Sequence, residues 1–96
     1  MKTRAYYNTR KPFRPSPLTI YTNEGGGEYV CVPHWGDCCD LDPVMMNVAS
    51  GWRFTAHGCG IYEDGCIDWD YSTGGDFAPE EVRAELVDRA IELAYS

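Results

Sequence analysis

The sequence predicts a small α+β domain, with an antiparallel sheet of about four strands, one short helix and a C-terminal amphipathic helix. Three observations lead to this fold class. The chain has 96 residues, which suits one domain. Between residues 18 and 71, segments of alternating polar and apolar character are separated by turn residues, a pattern typical of β-hairpins. Apolar residues then recur at helical spacing over residues 79–95.

The first hairpin and the short helix are expected in the first half of the chain. Residues 18–22 and 28–32 flank a glycine-rich loop at residues 23–27, which predicts two paired strands. Asp42 followed by Pro43 is typical of an N-cap and a first helical position. We therefore expect a helix over residues 44–50, ended by Gly51.

A second hairpin is expected around Asp64 and Gly65, a dipeptide that favours a two-residue type I′ turn. It would join a strand that begins at residue 52 to a return strand over residues 66–71. In that register the paired residues are Tyr62 and Ile67, Ile61 and Asp68, and Cys59 and Asp70. One face of this hairpin is then apolar and forms the core: Trp52, Phe54, Ala56, Tyr62, Ile67, Trp69 and Tyr71. The other face turns to solvent or to a partner: Arg53, Thr55, His57, Cys59, Ile61, Glu63, Cys66, Asp68 and Asp70.

The C-terminal helix has an acidic stripe along one side. At 100° per residue its four carboxylates fall within a narrow arc: Glu81, Glu85, Asp88 and Glu92. The opposite half is apolar and should pack on the sheet: Val82, Leu86, Ala90, Leu93 and Ala94. Two interpretations of the stripe stay open, a solvated face and an anionic recognition surface.

Charge is distributed unevenly along the chain, whose net charge is −7. Residues 1–14 carry five basic and no acidic side chains, whereas residues 15–96 carry three arginines against all 15 acidic residues, a net charge of −12. Residues 1–96 are expected to form a single domain, with residues 1–17 as a basic, proline-rich arm or edge segment. The acidic body is not expected to bind nucleic acid directly, because phosphate binding needs a basic surface.

The sequence shows no sign of catalysis or of a membrane segment. Cys38 and Cys39 lie between Asp37 and Asp40, whose charges should raise the thiol pKa and leave little nucleophilic thiolate. No apolar stretch approaches the roughly 20 residues of a membrane span, and residues 1–8 contain no signal-peptide core. Five cysteines, an odd number, suit reduced thiols in a cytoplasm. We therefore expect a cytoplasmic protein that is not an enzyme.

A structural zinc site is the alternative to a protein without cofactors. Cys31 and His34 have the spacing of half a zinc knuckle, and His57 and Cys59 could supply the other two ligands. Small domains with thin cores often depend on such a site for stability. Buried cysteines that pack as small apolar residues explain the same pattern, and the first expectation is that no cofactor is bound.

The acidic residues point instead to recognition of a basic partner. They fall in two groups, the helix stripe and a strand group around the second turn: Glu63, Asp64, Asp68 and Asp70. An acidic loop adds Asp37, Asp40 and Asp42. An acidic surface of this kind fits a Lys- and Arg-lined groove that binds nucleic acid, and aromatic residues, which are abundant here, dominate protein interfaces.

In overall character the chain resembles the small acidic anti-defence proteins of phages and mobile elements, the anti-CRISPR and anti-restriction proteins. The resemblance rests on the net charge of residues 15–96 and on the two acidic groups. It implies a non-enzymatic inhibitor that acts as a DNA mimic in the cytoplasm of the host cell. Its partner would be a nucleic-acid-handling complex, such as a CRISPR effector or a restriction enzyme. The alternative is a zinc-stapled structural or adaptor module.

Overall fold

A computed structural model describes residues 17–32, 42–62 and 65–95 of the chain and confirms the α+β class. Its elements are β1 (Ile20–Thr22), β2 (Glu28–Cys31), β3 (Val44–Asn47), β4 (Trp52–His57), β5 (Gly60–Ile61), β6 (Ile67–Asp68), β7 (Tyr71–Phe77) and α1 (Glu80–Ala94). The main sheet has five antiparallel strands in the order β1-β2-β3-β4-β7, one more than the sequence predicts. Strands β5 and β6 form a separate hairpin. The predicted arm lies outside the described residues except for Pro17.

The first hairpin is confirmed. In it Ile20 pairs with Val30 and Thr22 pairs with Glu28. The side chain of Asn23 closes the loop, because its Oδ1 accepts a hydrogen bond of 2.8 Å from the backbone N–H of Gly27. The glycine-rich loop therefore forms the turn that its composition predicts.

The predicted helix over residues 44–50 is wrong, because this segment supplies the central strand β3 and a turn. Met45 pairs with Cys31 of β2 on one side and with Phe54 of β4 on the other. Strand β3 is buried on both faces, so its short apolar run lacks the alternation that marks a half-buried strand. Pairing with β2 and β4 satisfies the backbone hydrogen-bonding groups of β3. This stabilisation outweighs the local preference of Pro43 for the start of a helix.

The second hairpin forms where the sequence predicts it, but its register differs by one residue. Ile61 pairs with Ile67, and the N–H of Tyr62 donates to the carbonyl of Cys66 at 2.8 Å. Three residues rather than two thus separate Tyr62 from Cys66, and the last of them, Gly65, has a φ of 84°. A three-residue loop with a left-handed glycine at its end is the next most common hairpin connection. The predicted pairs of Tyr62 with Ile67, of Ile61 with Asp68 and of Cys59 with Asp70 are wrong.

The return strand predicted over residues 66–71 is divided. Strand β6 ends at Asp68, and β7 begins at Tyr71 and joins the main sheet. The N–H of Asp70 donates to the carbonyl of His57 at 2.8 Å, which brings the chain back to the end of β4.

The main sheet is the middle layer of the domain. On one face α1 packs through Ala90, which shares a cluster with Val30, Val44 and Met46. The other face carries a second cluster that the β5–β6 hairpin covers: Tyr21, Cys31, Met45, Phe54, Ala56, Cys59 and Ile67. Successive side chains of a strand point to opposite faces of the sheet. Met45 therefore packs in the cluster under the β5–β6 hairpin, and Met46 packs in the cluster under α1.

The core predicted for the second hairpin is correct in part. Phe54, Ala56, Tyr62 and Ile67 are buried, and Trp69 packs against their cluster. Trp52 and Tyr71, however, are 37% and 60% exposed. Cys59 is buried although the prediction places it on the polar face, because the segment bends over the sheet after Gly58.

The C-terminal helix matches its prediction closely and is fixed to the sheet near its start. Val82, Leu86 and Val87 pack against the cluster that contains Ala90. Leu93 and Ala94, predicted to be in the apolar half, are exposed, because the packed part of the helix ends before them. No described helix is long and apolar enough to cross a membrane.

Candidate functional site

The acidic stripe of α1 is fully presented to solvent. Its four carboxylates are exposed: Glu81, Glu85, Asp88 and Glu92. Within the described parts of the chain, none of the four forms a salt bridge. Side chains four residues apart on one face are separated by about 6 Å along the helix axis. Within the described residues the stripe is therefore a regular row of exposed carboxylates that form no salt bridge.

Arg83 holds this helix in a defined orientation. Its Nη1 donates a hydrogen bond of 2.8 Å to the carbonyl of Val48, in the turn between β3 and β4. Its Nε and Nη2 bind the carboxylate of Glu80, and this hydrogen bond lowers the pKa of the Glu80 carboxyl. Arg83 thus directs its charge toward the sheet and the first turn of α1.

Asp68 and Asp70 are the described members of the strand group of predicted partner-binding residues. The carboxylate of Asp68 accepts hydrogen bonds from the Tyr62 hydroxyl at 3.2 Å and from the Trp69 N–H at 2.8 Å, so it supports the hairpin. That hairpin covers the sheet face opposite α1. Asp70 is exposed, and Glu63 and Asp64 lie outside the described residues. Of the described residues of this group, Asp68 therefore lies on the sheet face opposite the helix stripe.

His57, proposed above as a zinc ligand, has both ring nitrogens engaged. Nδ1 lies 3.0 Å from Oδ2 of Asp42, and Nε2 lies 2.7 Å from Oγ1 of Thr73. The imidazole stacks on Tyr71, with ring centroids 4.5 Å apart. No local pattern indicates this arrangement, because Asp42 precedes β3, whereas Tyr71 and Thr73 belong to β7, and only the sheet brings them to His57.

The two other described residues of the predicted zinc site lie in one apolar cluster. Cys31 and Cys59 are both buried there, and within the described chain neither forms a disulfide. Burial, followed by the nearby Cys31, Asp68 and Asp42, raises the pKa of the Cys59 thiol to about 12. Among residues 17–32, 42–62 and 65–95 no three His, Cys, Asp or Glu side chains are grouped as a metal site. His34, the fourth predicted ligand, lies outside the described residues.

An aromatic cleft of about 430 Å³ opens on the sheet face opposite α1, and the sequence analysis missed it. It is lined by Tyr29, Asn47, Ser50, Trp52, Phe54, Trp69, Ser72 and Phe77. Trp52 and Phe77 meet at its outer side, with ring centroids 4.9 Å apart. Tyr29 stands nearly perpendicular to both Phe54 and Trp69 in its wall. The placement of Trp52 in the predicted core concealed this feature.

Strand β7 forms the border of the cleft and the edge of the sheet. All seven of its residues are exposed, and within the described chain it pairs only with β4. Arg53 anchors it through two hydrogen bonds to the carboxylate of Asp76, at 2.9 and 2.8 Å. A register shift between Arg53 and Thr55 accommodates Gly74 and Gly75 of β7.

Comparison with known proteins identifies no relative of this chain. No family model, no curated protein and no solved structure matches the chain.

Proposed function

We propose that this protein is a non-enzymatic inhibitor that binds a basic, nucleic-acid-binding site on another protein through the acidic stripe of α1. One observation carries the proposal. Four exposed carboxylates follow one side of a helix and make no salt bridge with the described residues.

The acidic stripe lowers the stability of α1, which favours a role in binding over a role in folding. Glu81 with Glu85, and Asp88 with Glu92, are like charges four residues apart, and each such pair costs a few tenths of a kcal/mol. A lysine at one of these positions would relieve the repulsion. A row of exposed negative charges instead attracts a basic surface over a distance and accelerates association, with a marked dependence on salt.

The partner that fits this chemistry is a nucleic-acid-handling protein, such as a CRISPR effector or a restriction enzyme, in the cytoplasm of the host cell. Such proteins hold phosphates in grooves lined with Lys and Arg. A helix that presents carboxylates at regular spacing can occupy such a groove and exclude the nucleic acid. The proposed mechanism is therefore stoichiometric occlusion.

The test is a capture experiment with competition. The purified chain is immobilised, incubated with lysate of the cells that produce it, and eluted either with salt or with duplex DNA. The proposal expects a nucleic-acid-binding protein that elutes at moderate salt and is displaced by DNA. A captured protein that resists both would show that the stripe does not carry the interaction.

A matched pair of variants locates the interface. E85Q/D88N removes two charges from the stripe, and E24Q/E28Q removes two from the first hairpin, so both variants have the same net charge. The proposal expects at least a tenfold loss of affinity for the captured partner in E85Q/D88N, and little change in E24Q/E28Q. Equal effects would mean that only the overall charge matters, and the proposed interface would be wrong.

A further inference from the structure

The aromatic cleft is a second surface, independent of the helix stripe. It opens on the sheet face opposite α1, and its lining includes no Lys, Arg, Asp or Glu. Concave sites with mostly apolar walls and a few polar groups are the usual ligand sites of proteins. Here the polar groups are Asn47, Ser50 and Ser72.

The chemistry of the cleft favours a cation. The faces of Trp, Tyr and Phe rings attract ammonium and guanidinium groups through the ring quadrupole. Residues 15–96, which include every residue that lines the cleft, have a net charge of −12, so the surrounding potential attracts cations. A phosphate or carboxylate would be repelled by this charge and would find no basic side chain in the lining.

The position of the cleft favours a cation that belongs to an extended peptide. Ser72 and Phe77 line the cleft and belong to β7, whose seven residues are all exposed at the edge of the sheet. An exposed edge strand offers backbone N–H and C=O groups to an incoming strand. Alternate side chains of such a strand would point to the face on which the cleft opens.

We propose that an extended peptide pairs with the outer edge of β7 and inserts a Lys or Arg side chain into the cleft, against the rings of Trp52 and Phe77. The aliphatic part of that side chain packs on the rings, and its charged end lies near the Ser72 hydroxyl. Pairing with β7 sets the direction of the peptide, and the cleft selects the cationic residue.

The test uses tryptophan fluorescence and calorimetry on the full chain. The probe is an acetylated, amidated peptide of sequence Thr-Val-Arg-Val-Thr, compared with peptides that carry citrulline or leucine at the central position. Citrulline keeps the shape of arginine without its charge. We expect the arginine peptide to bind about tenfold more tightly than either analogue, which corresponds to about 1.4 kcal/mol. Equal binding of the leucine peptide, or no binding of the arginine peptide, would overturn the proposal.

Variants separate the cleft from general charge and from folding. Trp52→Leu leaves the net charge unchanged and should weaken binding of the arginine peptide about tenfold, whereas Trp52→Phe keeps a ring and should lose less. Tyr95→Leu removes an exposed ring at the far end of α1 and should have no effect. Unchanged binding in Trp52→Leu would place the peptide elsewhere.

Two further measurements test the strand pairing and the independence of the two sites. Methylation of the peptide backbone nitrogens that face β7 should abolish binding, and retained binding would contradict the pairing. E85Q/D88N should bind the arginine peptide as the unsubstituted chain does. If that variant lost the peptide, the helix stripe rather than the cleft would be its site, and this inference would fail while the proposed function stood.

Discussion

The carboxylate of Asp42 accepts a hydrogen bond from the imidazole of His57, with 3.0 Å between Oδ2 and Nδ1. This contact joins the residues before β3 to the end of β4. On its other side, Nε2 of the same ring meets Thr73 of β7 at 2.7 Å. The side chains of Asp42 and His57 are only about one-fifth exposed. Three segments of the sheet are thus connected through one ring.

Loss of the Asp42 carboxylate should destabilise the protein. Asp42→Ala removes the partner of Nδ1 and leaves a half-buried ring nitrogen unsatisfied, which should lower the free energy of unfolding by about 1–2 kcal/mol. Asp42→Asn keeps an oxygen acceptor and should lower the free energy of unfolding by a smaller amount. Urea denaturation measures both, and equal losses would show that the hydrogen bond does not stabilise the fold.

Thr73→Val tests the other side of the ring. This change removes the hydroxyl at nearly constant volume and should cost about 1 kcal/mol. Combined with Asp42→Ala in a double-mutant cycle, it should give a coupling energy of about 0.5 kcal/mol or more, because both partners orient the same ring. Strict additivity in urea denaturation would mean that they act independently.

The buried Cys59 thiol should make the protein less stable in alkali. Its pKa is raised to about 12 in the folded chain, whereas an exposed thiol ionises near pH 9. Between these values the unfolded chain releases a proton that the folded chain keeps, so the free energy of unfolding falls as pH rises, by at most about 1.4 kcal/mol per pH unit.

The comparison variant is Cys59→Ala, since other groups also ionise in this range. Its unfolding free energy, measured in urea at pH 8, 9.5 and 10.5, should decline less steeply than that of the unsubstituted chain. Parallel declines would show that Cys59 ionises equally in both states. At pH 8 in the folded chain, iodoacetamide should modify the less buried Cys66 before Cys59.

A side chain at position 75 should destabilise the fold much more than a side chain at position 74. Gly75 has a φ of 138°, and a Cβ there would overlap sterically with the Arg53 carbonyl oxygen, so Gly75→Ala should cost about 3 kcal/mol or more. Gly74 has a φ of 58° with open space around it, and Gly74→Ala should cost about 1–2 kcal/mol. Thermal unfolding compares the two, and similar losses would contradict the close approach of β7 to β4.

Removal of metal should leave the stability unchanged. Zinc needs a deprotonated thiol, which the raised pKa of Cys59 disfavours, and a free ring nitrogen, which His57 lacks while Asp42 and Thr73 hold it. Dialysis against a chelator should therefore not shift the melting temperature. One zinc per chain by elemental analysis, together with a lower melting temperature after chelation, would restore the zinc-stapled alternative.

Local sequence signals predicted the elements that depend on local physics. The loop closed by Asn23 and the amphipathic period of α1 are encoded within a few residues each. Strand β3 was missed because its character comes from two neighbouring strands, whereas Asp42 and Pro43 favour a helix start only locally. The Gly65 turn shows the same limit, since a two-residue and a three-residue loop share the Asp-Gly signal and differ by one residue in register.

Of the two candidate sites, one follows from local sequence and the other depends on how distant strands pair. The acidic stripe follows directly from the positions of Glu81 and Glu85 in a helical period, and it is exposed as expected. The aromatic cleft depends on where β7 meets β4, because Trp52 becomes part of a cleft only when Phe77 lies beside it. No periodicity in the sequence contains that information.

The order of strands in the main sheet also bears on how the chain folds. Strands β1 to β4 are neighbours in both sequence and space. Two pairings close segments of equal length, because Met45 pairs with Cys31 and Tyr71 with His57, in each case 14 residues further along the chain. The hydrogen bond from the N–H of Asp70 to the carbonyl of His57 brings β7 back to β4. Contacts of this kind favour rapid folding, with the β2–β3 and β4–β7 pairings as the steps that need the longest loop closures. Between the ends of β4 and β7 the chain thus makes an insertion within a meander, and the connection from Tyr62 to Cys66 should accept added residues without altering the register of the five-stranded sheet.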